Sequence, residues 1–290
     1  QKILSDAVDT TLVHIDADEN FSKHDKRVSP FSVFGITDCL INTIHGAFGE
    51  DNRLHQLLNA AHTPYIGSSG LSSAITYSKP ASKQMFKANN IKTPRWRVFD
   101  SRTDSIKTSA RKLFRSFPFP AIIKPACGGA GIGVTKAETF QDLLEGLAVA
   151  ADIDNTILIE EYIPGRLISC GVLEHARKEQ TYTLPPIHIR RGSQTYNYRH
   201  ATRDRFTPLG TKETNLRDQI TAMTKKAHEM LGLSHFSRAD FIVSKERGVY
   251  LLEMNAIPHM GTHSPYTFAL NFAGIKPNEF GKHLMRLAAE

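Results

Sequence analysis

Apolar positions recur along the chain with two periods, and the switches between them predict the elements. Thr11 to Asp16 and Cys39 to Ile44 are short apolar runs that predict strands. After the turn His45-Gly46, the spacing of Leu54, Leu57, Leu58 and Ala61 predicts a helix from Glu50. Pro64 to Gly67 predicts a short strand, and Ser72 to Asn90 a helix interrupted at Lys79-Pro80, where proline suits the first turn of a new helix. Strands over Trp96 to Phe99 and Ala121 to Lys124 flank a helix through Leu113 and Phe114. Thr139 and Asp142 make a capping-box start for a helix to about Ala151, and Thr156 to Ile163 is an apolar strand broken by Pro164-Gly165. Ile168 to Glu174 and Tyr182 to Ile189 predict further strands. Leu216, Ile220, Met223, Ala227 and Met230 then predict a helix over 215–231 with Gly232 as its C-terminal stop. Arg238 to Ser244 and Val249 to Asn255 alternate as strands, and Phe280, Leu284 and Leu287 mark a closing helix. Gly192 to Pro208 is a long Arg-rich loop without a period, a kind of segment that often carries function.

Composition narrows the class without choosing a ligand. With 40% hydrophobic and 22% charged residues the chain is ordinary globular material, not a disordered or fibrous one. A net charge of +7 favours anionic ligands: nucleotides, phosphorylated metabolites, nucleic acid or acidic lipid. Three scattered cysteines, Cys39, Cys127 and Cys170, encode neither a disulfide framework nor a zinc site and suggest a reducing cytoplasm. No run of about 18 apolar residues offers a membrane span, and the acidic first twenty residues do not resemble a targeting peptide. Because an α/β domain normally starts with a strand, the opening reads as clipped.

The last two strands carry the sharpest chemical signal. Residues two apart on a strand share a face, so Arg238, Asp240 and Ile242 oppose Ala239, Phe241 and Val243; likewise Leu251, Glu253 and Asn255 oppose Tyr250, Leu252 and Met254. A four-residue loop Lys245 to Gly248 then sets Ser244 against Val249, Asp240 against Glu253, and Arg238 against Asn255. Facing carboxylates destabilise a sheet unless a cation lies between them. Mg²⁺ fits best, with Asn255 as a third oxygen donor and Mn²⁺ as the alternative, because it shares its remaining positions with water and phosphates. On the hairpin alone, solvated acids or an Arg238–Asp240 ion pair explain the pattern as well.

Upstream lie the residues a phosphate would need. Gly128-Gly129-Ala130-Gly131-Ile132-Gly133 follows the strand that ends in Lys124. It is neither a Walker loop nor GxGxxG, so a hairpin turn and a phosphate cradle both remain open. Lys79 begins a helix and Lys124 ends a strand; each alone reads as a surface cation. Glu160-Glu161 could accept from an adenine amino group or be a solvated pair on an edge strand. Taken together with the hairpin, the set describes a site for ATP and a magnesium ion.

In chain order these residues resemble the D-alanine:D-alanine ligase family of the ATP-grasp superfamily. The resemblance covers His45 to Asp51, Pro64 to Ser68, Ser78-Lys79, Ile122 to Pro125, Ile159 to Gly165, Ser237 to Phe241, Tyr250 to Asn255 and Pro258 to Ser264. It implies an α/β protein of three domains: a truncated, doubly wound N-terminal domain over 1–78, a central ATP-grasp domain over 79–163 and a C-terminal one with the metal site over 164–290. It also implies that Lys79 and Lys124 contact phosphates, that Gly128, Gly129, Gly131 and Gly133 fold over them, and that Glu160, Glu161 and the backbone near Ile163 hold adenine. Asp240, Glu253 and Asn255 match the magnesium ligands, and Arg238 the residue that stabilises the oxyanion of a tetrahedral intermediate. His45, Glu50 and Ser264 fall at the amino-acid pocket, although His45 alone reads equally as a turn or core histidine. The implied activity is an ADP-forming carboxylate–amine ligation through an acyl phosphate, in the cytoplasm, with a homodimer as the family's common state.

Several positions depart from the family pattern. A serine pair in the glycine loop is replaced by Ala130 and Gly131, a ribose-binding glutamate by Leu167, and a Pro-Gly pair by Pro258-His259. The lid's Lys-Tyr pair falls in Tyr196 to His200, where Arg199, His200 or Arg203 are the candidates to replace it. These changes leave the phosphate and metal chemistry intact and loosen the choice of amino acid, so a ligase for another carboxylate and amine is the alternative. A second class, single-stranded nucleic acid bound by the arginines and aromatics of residues 188–206, is disfavoured against a lid.

Overall fold

The computed structural model describes residues 9–103, 105–190 and 204–288. Residues 191–203, with the lid and the nucleic-acid candidates Tyr196, Tyr198, Arg199, His200 and Arg203, lie outside them.

The first segment opens with a small antiparallel meander, β1 (His14–Ile15), β2 (Phe21–Lys23) and β3 (Lys26–Val28), followed by α1 (Pro30–Phe34). Next come β4 (Leu40–Ile41), α2 (Ala47–Glu50), α3 (Arg53–Ala60), β5 (Tyr65–Ile66) and α4 (Gly70–Tyr77). β4 and β5 pair in parallel, the only part of the expected doubly wound sheet seen among the described residues. The strand expected over Cys39 to Ile44 stops at Ile41 because Asn42 turns the backbone. Its side chain accepts from the Ile44 amide (2.9 Å) and donates to the Gly49 carbonyl (2.8 Å). The helix expected from Glu50 begins only at Arg53, because Asn52 before it takes a left-handed φ of +83°, and Glu50 instead ends the short α2. Leu54 and Leu58 of α3 then pack on Phe21, Val33 and Phe34.

The middle segment holds α5 (Lys79–Ala88), β6 (Trp96–Asp100), α6 (Ile106–Ser116), β7 (Ala121–Pro125), β8 (Thr135–Ala137), α7 (Phe140–Ala151) and β9 (Thr156–Glu161). Its sheet runs β6-β9-β7-β8, all antiparallel, with α6 and α7 packed through Ala110, Leu143 and Leu147 on Ile123, Ile157 and Ile159. Thr139 and Asp142 form the expected capping box at the start of α7. Phe86 of α5, with Ile91 just beyond, packs not on this sheet but in the core of the C-terminal one.

That sheet comprises β10 (Arg166–Glu174), β11 (Thr181–Thr183), β12 (Ile187–Arg190), β13 (Arg205–Pro208), β14 (Phe236–Ser244) and β15 (Gly248–Asn255), ordered β13-β12-β10-β14-β15 with β11 also on β10. The single strand expected over 182–189 is two, because Pro185-Pro186 cannot donate to a ladder. α8 (Thr214–Met230) buries Ile220 and Ala227 on one face of the sheet, while α9 (Pro265–Phe272) and α10 (Pro277–Ala288) cover the other through Tyr266, Leu270 and Leu284. Among the described residues, no helix is long and apolar enough to cross a membrane.

Candidate active site

The carboxylate pair forms as expected, but through a different register. The loop between β14 and β15 is one residue shorter than counted, so Ser244 faces Gly248, Val243 faces Val249 and Phe241 faces Leu251. A β-bulge between Asp240 and Phe241 leaves Leu252 unmatched and restores the count, placing Asp240 against Glu253 and Arg238 against Asn255. The two displacements cancel. Leu251, expected on the acidic face, consequently turns into the core with Val249 and Met254.

Asp240 is 8% exposed. It accepts from the Ser169 hydroxyl (2.7 Å) and from Arg238 through both Nε (3.1 Å to Oδ1) and Nη2 (2.7 Å to Oδ2). The Arg238–Asp240 ion pair, an alternative reading of the hairpin, is therefore present beside the carboxylate pair. The Asn255 amide lies 3.5 Å from Asp240 Oδ2, and a half-turn exposes its oxygen to the same space. No cluster of three or more His, Cys, Asp or Glu side chains suited to a metal occurs among the described residues. Two carboxylates and an amide remain, a hard-oxygen set that fits Mg²⁺ supplemented by water and phosphate. Behind this strand, Ser237 bonds His228 Nδ1 (2.8 Å), whose Nε2 lies 3.1 Å from Glu174 Oε1. This buried network pins the β14 backbone under Arg238.

Glu160 is almost wholly buried, contrary to an edge-strand solvated pair, because β9 is an interior strand. Ile122 pairs with Glu160 and Lys124 with Leu158, so Lys124 and Glu160 are diagonal neighbours on one face. Lys124 and Lys83 each form an ion pair with Glu160. Burial alone would push the Glu160 carboxyl up, but the two lysines hold it below the usual carboxylate range. Burial also brings Lys83 down to about 8. Glu161 points the other way and is already satisfied, accepting from the Arg95 amide and from Arg247 Nη2 at 3.0 Å each. Ile163 is buried nearby in sequence at 5% exposure.

Lys79 donates to the Gly128 carbonyl (2.7 Å), tying α5 to the glycine loop. It lies below the ordinary lysine range through burial, with Glu253 and Lys124 as opposing charged neighbours. The loop closes the β7–β8 hairpin and is anchored at its base by Asp154, which accepts from the Cys127 and Thr156 amides at 2.9 Å each. Gly133 has φ +72°, and a Cβ there would sit 2.4 Å from Ile153 Cδ1. Gly128 and Gly129 instead border open space.

Glu50 lies within electrostatic reach of Glu253, 203 residues further along the chain. Glu50 accepts from the Gly46 amide (2.7 Å), yet burial, together with the Glu253 charge, raises its carboxyl to about 7. His45 lies beside His259, with ring centroids 5.7 Å apart and planes tilted by 35°, and its pKa is lowered by desolvation, His259 and Arg238 in turn. Ser264 is buried and caps α9, accepting from the Thr267 amide and donating to its hydroxyl, both at 3.1 Å. Sequence reasoning missed Lys83, although its position four residues after Lys79 placed both lysines on one helical face.

The family model "D-ala D-ala ligase C-terminus" matches residues 85–286. The D-alanine–D-alanine ligase of Maridesulfovibrio salexigens is 33% identical over 245 residues, covering 84% of this chain and 78% of that protein. The crystal structure of D-alanine–D-alanine ligase from Bacillus anthracis complexed with ATP superposes with a TM-score of 0.73 and 25% identity, covering 87% of this chain and 79% of that one. VanG D-Ala:D-Ser ligase from Enterococcus faecalis shares the fold at a TM-score of 0.75 and 21% identity, covering 96% and 79%. Matched over most of its length by the family model and by a relative at this identity, the chain belongs to the D-alanine–D-alanine ligase family.

Proposed function

We propose that the chain condenses two D-alanine molecules with hydrolysis of ATP to ADP and phosphate, the nucleotide lying between residues 79–163 and 164–290. The observation that carries this reading is the opposition of Asp240 and Glu253, with Asn255 and Arg238 on the same ladder and Lys79 within electrostatic reach of Glu253.

The carboxylate of the first amino acid attacks the γ-phosphate in line, giving an acyl phosphate; the amine of the second displaces phosphate through a tetrahedral adduct. Lys79 and Lys124 offset the phosphate charge, and the Gly128 to Gly133 backbone closes over it. The main chain from Glu160 to Ile163 would hold adenine, the Glu160 carboxylate being engaged by Lys83 and Lys124 and that of Glu161 by Arg95 and Arg247. Asp240, Glu253 and Asn255 would hold Mg²⁺, which supplies charge neutralisation at the phosphates. Arg238, fixed by Asp240, faces the oxyanion that develops in the second step. His45 and Glu50 border the amino acids, with Ser264 supporting that wall from the start of α9. No protein nucleophile is required, because positioning and charge stabilisation supply the rate.

A phosphate-release screen across D- and L-amino acids with Mg²⁺ tests the reading, with release expected for D-alanine alone. Release only with another amino-acid pair would keep the ligase chemistry and remove the proposed substrate; no release with any pair would remove both.

A further inference from the structure

Lys83 has no exposed surface. Its ammonium donates to the Thr93 hydroxyl (2.7 Å) and pairs with one Glu160 oxygen, while Lys124 pairs with the other. The Trp96 ring, 5.8 Å from the Lys83 nitrogen, closes that side of the site. One buried anion is thus shared by two cations. Lys83 is held on several sides and away from solvent, whereas Lys124 keeps 8% of its surface open.

The sharing matters because a buried carboxylate stripped of its only partner is strongly destabilised. If Lys124 alone neutralised Glu160, its move to a phosphate would strand that charge, and the nucleotide would have to compete against the ion pair. With Lys83 in place, Glu160 stays paired when Lys124 leaves. We propose that Lys83 is the resident counter-ion of Glu160 and thereby frees Lys124 to exchange that carboxylate for a phosphate oxygen of the nucleotide. Lys83 is a positioning residue: it acts through Glu160 and Lys124 and touches no substrate. The inference rests on the nucleotide role of Lys124 proposed above.

Calorimetric titration of the full chain with ATP and with adenosine, in the presence of Mg²⁺, tests it through a double-mutant cycle of Lys83→Met and Glu160→Gln. Lys83→Met should weaken ATP binding by about tenfold or more, equivalent to about 1.4 kcal/mol. Adenosine, which carries no phosphate, should bind with little change. Once Glu160 is neutral Lys83 has nothing to hold, so Glu160→Gln and the double variant should bind ATP equally. Unchanged ATP binding by Lys83→Met overturns the proposal; so does an equally large loss in the Glu160→Gln background, which would mark a packing role. Should Lys83→Met fail to fold, the double variant, which removes both charges of the buried contact, is compared with Glu160→Gln: equal ATP binding is expected, and weaker binding by the double variant overturns the proposal. Wild-type protein that binds no ATP would defeat the nucleotide reading itself, whereas normal wild-type binding with an unshifted Lys83→Met defeats only the role of Lys83.

Discussion

The Asp240 and Glu253 carboxylates face each other across the β14–β15 ladder, and the Arg238 guanidinium bonded to Asp240 offsets part of their repulsion. Glu50 adds a third acid close enough for Glu253 to help raise its pKa. Such an arrangement favours binding of a cation over stability of the bare sheet.

Glu253→Gln removes the acid that repels both Asp240 and Glu50. Like-charge opposition on a ladder costs roughly 0.2–1 kcal/mol, so the variant should melt at or above the wild-type temperature. Its phosphate release should fall by about 100-fold, the scale of losing one group that stabilises developing charge. A calorimetric melt and a phosphate assay on the same preparation check the two halves.

Deleting Leu252 removes the unmatched residue of the bulge and joins the two halves of the ladder, so Asp240 still faces Glu253 and Ala239 still faces Met254. A bulge bends its strand and sharpens the local twist, so the deletion keeps the carboxylate pair and changes its aim. Lowered turnover with a melting temperature near that of wild type is expected. Full turnover by the deleted protein would show that the bulge does not aim the acids.

Glu50 makes stability depend on pH. Its folded pKa of about 7 lies above the ordinary 4.5, so the folded state binds the proton more tightly. The contribution is fully present below pH 4.5 and is lost as pH rises through 7. The shift corresponds to about 3 kcal/mol as an order of magnitude. Glu50→Gln should abolish that part of the pH dependence, so its advantage over wild type should grow between pH 5 and pH 8 in denaturant unfolding.

Gly133→Ala places a Cβ against Ile153 at a left-handed φ, whereas Gly129→Ala meets nothing within 4 Å. The first should cost about 1–3 kcal/mol and raise the KM for ATP by shifting the glycine loop. The second should leave stability within about 0.5 kcal/mol. Equal melting temperatures for the two variants would contradict the described loop backbone.

Local periodicity and chemical type were legible without coordinates. The α7 capping box, the break at Lys79-Pro80, the long amphipathic α8 and the facing of Asp240 with Glu253 all depend on residues close in sequence, where spacing dictates which side chains share a face. Even there the Asp240–Glu253 pairing was reached by two compensating shifts, since neither the loop length nor the bulge at Leu252 leaves a clear mark in an alternating pattern. Only the tertiary structure decided that Glu160 lies on an interior strand between Lys83 and Lys124, that Glu161 is already engaged by Arg95 and Arg247, and that Glu50 comes under the influence of Glu253. These outcomes depend on strand order and on contacts between residues many tens of positions apart. Burial and shared charge, which set the strength of each group, arise only when those distant segments pack together.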